Sequence, residues 1–483
     1  MNRRDLLLAS LSASAVALAG RASGQTELAR FARAFRSVPD GGIPRKPLRL
    51  IAGQSPGDLV GTYFLNGPAK HERGGERNEH WFDGDGMLNA FRFGDGAATH
   101  EARYVETQKF KREREAGKRL FPSFDHVPRA SLGVSASDDG NAANISVIER
   151  GSELWALWEG GSPHRIDPAD LSTKGPVVLA EGFAGVPFSA HPRQDRNGTL
   201  WAYGFSAFAG RLILSEIAPD GTLRRFKVLD GFPNSMVHDF VSTEKHLVIG
   251  FPPYTISREG GAYLDHFLWH GEEPRLYVVI EKESFEIVRR YELPARFQFH
   301  HFAAYEETDG TIRFASCSMR DASWVETEAR AVMEGQPFTG EREAIFERIT
   351  LRPNGRVEAE LSDEEAEFPV GDPRLAETAH TQFCIGRTAS SGRLSNAIFA
   401  RAPSGEALSS WSADNETLMG EHIVVPRTDG ESYLIGTQFD ARRGRTLLSL
   451  FASDNLAAGP RAIWETSEPI PVPLHGTWVQ GSG

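Results

Sequence analysis

The chain has almost no cysteine, a shortage of positive charge and no hydrophobic run long enough to cross a bilayer. Each shortage removes a class of protein. Cys317 and Cys384 are the only two cysteines among 483 residues, and two do not make a disulfide framework or a thiolate metal cluster. One disulfide or two free buried thiols remain as readings. Lys and Arg number 53 against 65 Asp and Glu, a formal net charge of -12, which is the wrong sign for a phosphate backbone and argues against a nucleic-acid partner. No stretch of about 20 apolar residues occurs, so no spanning helix is expected. What remains is an ordinary globular composition, 40% hydrophobic and 24% charged, on a chain too long for one small core.

The first 25 residues read differently from the rest. Arg3-Arg4 precedes an apolar run from Leu6 to Ala19, then small residues at Ala22-Ser23-Gly24. A charged start, a short apolar middle and a cleavable end make an export signal, expected to leave the protein periplasmic or otherwise exported. The twin arginine in Asn2-Arg3-Arg4-Asp5-Leu6-Leu7 points to the route that carries folded proteins.

From about residue 45 onward the text is short β-like runs broken by turns. Leu154 to Trp158, Leu200 to Gly204, His246 to Gly250 and Ser432 to Gly436 are such runs. Asp138-Asp139-Gly140, Asn197-Gly198, Asp220-Gly221 and Asn354-Gly355 supply turn chemistry between runs. The pattern predicts an all-β fold of many antiparallel strands, and dividing the mature chain into blades of about 60 residues gives roughly seven, as in a β-propeller. Lys109 to Leu120 and Ala322 to Gly335 break the strand text with helical spacing. They read either as insertions covering a site or as solvated surface helices.

Four histidine-centred segments carry the most information: Ala190-His191-Pro192-Arg193, Val237-His238-Asp239-Phe240, Phe299-His300-His301-Phe302 and Leu474-His475-Gly476-Thr477. Three of the four lie in apolar runs that read as strands, where an imidazole needs a partner. A metal is one such partner, since neutral imidazole is a common ligand for Fe, Zn and Cu. At the third segment strand alternation leaves His300 and His301 both open, because neighbours face opposite sides.

Gly61-Thr62-Tyr63-Phe64-Leu65-Asn66-Gly67-Pro68, then His80-Trp81-Phe82-Asp83-Gly84-Asp85-Gly86-Met87, then the four histidine segments in order, with Glu306 after the third, resemble the carotenoid cleavage oxygenases. The resemblance runs from about residue 45 to the C-terminus. It implies a seven-bladed propeller over residues 26–483, with a helix and loop dome over the iron-bearing axial face and dome insertions at 105–130, 250–275 and 318–345. It implies one Fe(II) per chain, held by His191, His238, His300 and His475, and favours His300 over His301. It makes Glu159 the partner of His238, Glu367 of His300 and Glu421 of His475. His80 is read as structural. Four neutral imidazoles leave the metal charge uncompensated, which is why carboxylates behind the rings are expected.

The implied reaction is O2-dependent scission of a polyene C=C bond into two carbonyl products. Its substrate needs an apolar tunnel, for which Phe124, Trp158 and Phe299 are candidates. Stilbene-cleaving relatives carry a Tyr and a Lys for a phenolic oxygen where this chain has Phe124 and Trp158, so a carotenoid or apocarotenoid is the expected substrate. Peripheral membrane contact through Pro252-Pro253-Tyr254 and Tyr263 to Trp269 is a further expectation. The rivals are a stilbene-cleaving oxygenase, a non-catalytic propeller that binds an apolar ligand, and a Ca²⁺-dependent propeller hydrolase.

Overall fold

A computed structural model describes residues 30–94, 96–335, 344–388 and 395–481. The expected export segment, residues 1–25, lies outside them, as do residues 336–343 of the third insertion. The hairpins gather into seven antiparallel sheets of four or five strands, a seven-bladed β-propeller. A representative blade is a simple meander of Arg193–Gln194, Leu200–Ser206, Arg211–Ile217 and Leu223–Asp230. Two of its turns are Asn197-Gly198 and Asp220-Gly221, where glycine takes φ of 85° and 89° and so fits a tight reversal other residues resist. Asp138-Asp139-Gly140 is not a hairpin turn. It belongs to a 3-10 turn, Ser137–Gly140, because Asp138 bonds the Ser162 amide and hydroxyl at 2.8 Å each instead of letting the chain reverse there.

One edge strand of each sheet faces the propeller axis. In chain order these are β1 (Ser146–Arg150), β2 (Arg193–Gln194), β3 (Phe240–Ser242), β4 (Phe297–His301), β5 (Glu367–Gly371), β6 (Thr417–Pro426) and β7 (Gly476–Gln480). The ring closes from both ends of the chain. Arg49–Gly53 pairs with Ala462–Glu465 in the blade of β6, while β7 pairs with Gly61–Lys70 in the first blade. Between blades the packing is apolar, as where Leu212, Leu214, Leu247, Ile249 and Ile280 are wholly buried. Truncating one such side chain to alanine costs about 2–5 kcal/mol.

Each of the three expected insertions contributes residues to the axial cavity, among them Phe124, Tyr263 and Trp324. The first carries helix α1 (Gln108–Ala116), capped by Thr107 and ended by Gly117 in a left-handed conformation. Its charged text left open a site-covering insertion or a solvated surface helix; Lys109, Phe110 and Glu113 are buried. Lys109 pairs with Asp85 and lies 3.4 Å from Glu113. Glu113 in turn accepts from the Leu120 and Phe121 amides at 2.9 and 3.2 Å. The buried pair therefore pins the loop that carries Phe124. The second insertion is a short hairpin of Tyr254–Ile256 and Phe267–Trp269. The third is the π turn Trp324–Glu328 running into helix α2 (Ala329–Glu334). His80 ties this insertion to the blades, accepting from the Phe82 amide at 3.0 Å and facing the Val325 carbonyl at 2.9 Å. Among the described residues no helix is long and apolar enough to cross a membrane. Cys317 and Cys384 are free and buried.

Candidate metal centre

His191, His238, His300 and His475 converge on the axis, with one ring nitrogen of each within 4.8 Å of the others. Only His300 lies within a strand. His191 and His238 sit two residues before β2 and β3, and His475 one residue before β7. The apolar runs around them suggested strands because those residues are buried, but the chain there is still turning onto the axis.

The choice between His300 and His301 is settled by a bulge. Gln298 and His301 stand opposite Ser318 and Ser316, so β4 carries one residue more than its partner. The extra residue lets Phe299 and His300, adjacent in sequence, both face the axial cavity. His301 turns away, its amide donating to Asp239 at 2.8 Å and its ring lying 3.2 Å from the Tyr277 hydroxyl. The same one-residue excess occurs in β5 between Glu367 and Val370 and in β6 between Met419 and His422.

The bulged strands and one loop bring carboxylates behind the rings. Nδ1 of His238 lies 2.6 Å from Glu159, Nδ1 of His300 2.5 Å from Glu367, and Nδ1 of His475 2.9 Å from Glu421. Glu421 also accepts from the Gly476 amide at 2.8 Å. Glu306, by contrast, faces His246 at 2.8 Å, away from the axis. A carboxylate accepts a proton donor, so each of these three Nδ1 atoms carries hydrogen and each Nε2 carries a lone pair.

That donor set fits a cation. Nε2 of His238 lies 3.3 Å from Nε2 of His300 and 3.0 Å from Nε2 of His191. Lone pairs facing at such distances repel, and a positive ion at their shared focus turns repulsion into coordination. Burial and the surrounding imidazoles hold His191 and His300 well below the usual histidine range, which keeps both rings neutral. Burial acts against a charged His238 too, but Glu159 outweighs it and raises that ring. Burial pushes Glu367 up to about 7, and a cation beyond the ring favours its carboxylate form.

His238, His300 and His475 form the floor of a cavity of about 660 Å³, with His191 packed against them. Phe124, Trp158 and Phe299 all line it, as does Glu159. Phe299 packs edge-on to His238 at 5.2 Å, and Phe82 packs against both Phe124 and Phe299. Gly160 makes room for the Trp158 indole, since a Cβ there would lie 2.5 Å from the ring. Sequence reasoning missed Tyr203, Phe208 and Phe368 on the same wall. Phe368 follows Glu367 directly, and strand alternation places it on the opposite face unless the bulge is known. Of the expected docking residues, Pro252, Pro253 and Tyr254 are buried, Tyr254 among Phe267 and Phe297 in the core. Tyr263 and Leu268 are exposed, joined by Phe208, whose ring lies 6.2 Å from that of Tyr263.

Residues 36–480 match the sequence profile of a family described as retinal pigment epithelial membrane protein. The chain is 30% identical to the apocarotenoid-15,15'-oxygenase of Synechocystis, over 89% of this chain and 92% of that protein. It is 26% identical to carotenoid cleavage oxygenase 1 of Neurospora crassa, over 89% and 87% of the two chains. Among solved structures it resembles the cobalt-substituted Synechocystis apocarotenoid oxygenase with a TM-score of 0.83 and 28% identity, covering 94% of this chain and 98% of that one. Pseudomonas brassicacearum lignostilbene dioxygenase, at 24% identity and a TM-score of 0.79 over 92% and 97% of the chains, shares the fold.

Proposed function

The chain belongs to the retinal pigment epithelial membrane protein family, that of the carotenoid cleavage oxygenases, and on that premise we propose that it is an Fe(II)-dependent oxygenase cleaving a C=C bond of a carotenoid or apocarotenoid with O2. The observation that carries this reading is the focus of four imidazoles, three of them on the floor of an apolar cavity. His191, His238, His300 and His475 would hold one iron per chain. When bound, iron supplies the O2 chemistry that splits the double bond into two carbonyl groups. Everything else falls to the chain's own residues.

Glu159, Glu367 and Glu421 keep hydrogen on the outer ring nitrogens and so keep the inner lone pairs free. Phe299 borders the space beside His238, while Phe82, Phe124 and Trp158 extend an apolar wall from it. A polyene has few polar groups, so such a wall binds it by exclusion of water and holds one bond near the histidines. A hydroxystilbene is the competing substrate. Phe124 offers its phenolic oxygen no partner, and a buried unpaired hydroxyl costs about 1–3 kcal/mol, so the wall supports the polyene.

The test is anaerobic loading with Fe(II), followed by assay of an apocarotenal and a hydroxystilbene with O2. Aldehyde products from the apocarotenal are expected; products from the stilbene alone refute the substrate assignment, and activity without iron refutes the cofactor. Phe208 and Tyr263 border the cavity and are 57% and 37% exposed, which supports peripheral docking of the rim on a bilayer that carries the substrate. Co-sedimentation with liposomes should fall in a Phe208→Asp variant. The twin arginine supports export of the folded protein, and fractionation of cells expressing an Arg3→Lys, Arg4→Lys variant checks it.

A further inference from the structure

Phe368 stands in a backbone conformation that suits it poorly, with φ of 50° in the left-handed region. It occupies the extra position of the β5 bulge, between the pairs Glu367 with Ile385 and Val370 with Phe383. Glycine is the residue that takes such a position freely. A phenylalanine held there needs a reason, and strain of this kind gathers where the surroundings enforce it.

The reason lies in what the turn accomplishes. In a regular strand Glu367 and Phe368 would point to opposite faces of the sheet. The bulge brings both to the axis. The Glu367 carboxylate meets His300 and also accepts from the Phe368 amide at 2.9 Å. The Phe368 ring then lies over two imidazoles at once, 5.3 Å from His300 at 36° and 4.9 Å from His475 at 40°. Those two histidines come from different blades and touch each other at 4.9 Å, and the Phe368 ring packs against both while lining the cavity.

We propose that Phe368 is a positioning residue: its ring, carried to the axis by the β5 bulge, sets the orientation of His300 and His475 around the metal. This rests on the metal reading given above. It predicts that the flat ring matters more than its apolar bulk. A residue that only filled the core would tolerate leucine.

The experiment uses the full chain loaded with Co²⁺, whose visible absorption reports the geometry of its ligands. Phe368→Leu keeps apolar volume, Phe368→Gly relieves the backbone while removing the ring, and Phe368→Tyr keeps the ring. Thermal unfolding of the metal-free proteins verifies folding. Leu and Gly variants are expected to shift the cobalt bands and to release Co²⁺ to a chelator about 10-fold faster, the scale of losses at groups that orient metal ligands. The Tyr variant is expected to stay within twofold of the parent. If Phe368→Leu fails to fold, the Gly and Tyr pair decides. Bands and release rates unchanged in Leu and Gly overturn the role of Phe368 while leaving the metal reading intact. A parent chain that takes up no Co²⁺ overturns both.

Discussion

The three carboxylates behind the imidazoles look alike on paper, and the hydrogen bonds say that replacing them with glutamine will not have like effects. Glu421 spreads its two oxygens over two donors, one to His475 Nδ1 at 2.9 Å and the other to the Gly476 amide at 2.8 Å. Glutamine has one oxygen and one NH2, so in Glu421→Gln one of those donors must face another donor, whichever way the amide turns. Leaving a buried donor unpaired costs about 1–3 kcal/mol. If the NH2 turns to His475, the ring escapes the clash only by moving its proton to Nε2, and it then ceases to be a ligand. Glu367 differs because one oxygen, Oε2, accepts from both His300 and the Phe368 amide. Glutamine can present its single oxygen there, so both donors stay paired and the His300 tautomer is kept. Its NH2 then takes the buried place of Oε1, which has no partner among the described residues, and lowers stability rather than ligation. Metal affinity should therefore fall about 100-fold in Glu421→Gln and about 10-fold in Glu367→Gln, the two ends of the range for such groups. Competition for Co²⁺ or Fe(II) with a chelator measures both, and Glu306→Gln, at an equally short pair with His246 off the axis, serves as the unaffected control. Equal losses in the two glutamine variants, or the reverse order, would show the hydrogen-bond reasoning to be wrong.

His300→Ala should abolish stoichiometric metal uptake, whereas His301→Ala should keep it and lower thermal stability; metal analysis beside a melting curve separates them, and metal loss in His301→Ala refutes the assignment. Gly160→Ala should drive the Trp158 indole from its place, raising KM for an apocarotenal several-fold with little change in metal content, which steady-state kinetics will show. Stability should also fall in mild acid for reasons unrelated to the metal. Burial lowers His71 to about 3 and His100 to about 4, while in the unfolded chain both titrate near 6.5. Below that value the unfolded state takes up protons the folded state refuses, so stability is full above pH 7, falls as pH drops through about 6.5 and levels off below about 3. From pH 7 to 5 the loss is about 2 kcal/mol for each ring. Urea unfolding of metal-free protein at the two pH values measures it, and a His100→Gln variant that loses as much as the parent would exclude that ring as a cause.

The hairpin text and the four histidine segments were legible from local signals, while the blade count rested on chain length and the family resemblance. Turn residues such as Asn197-Gly198 and Asp220-Gly221 punctuate hairpins, and imidazoles stand out in apolar text. The bulges were not legible. One extra residue per strand leaves no mark in composition, yet it decides that Phe299 and His300 face the same way and that Phe368 joins Glu367. Burial of Lys109 escaped notice for a different cause: a lysine reads as solvated until its partner Asp85, distant in sequence, is known. The burial of Pro252, Pro253 and Tyr254 in the expected docking segment was not legible, because prolines and aromatics signal a loop without saying which side of it meets water. Phe208, in the short turn between Leu200–Ser206 and Arg211–Ile217, gave no such signal and is the most exposed aromatic at the rim.

The way the ring closes fixes when the four imidazoles can come together. His475 immediately precedes β7, the strand that fastens the final stretch of chain to Gly61–Lys70. Synthesis proceeds from the N-terminus, so the fourth imidazole arrives only with β7, after Ala462–Glu465 has already been made. A product cut short before Leu474 would keep the pairing of Arg49–Gly53 with Ala462–Glu465 but lack β7 and the fourth imidazole of the proposed metal site.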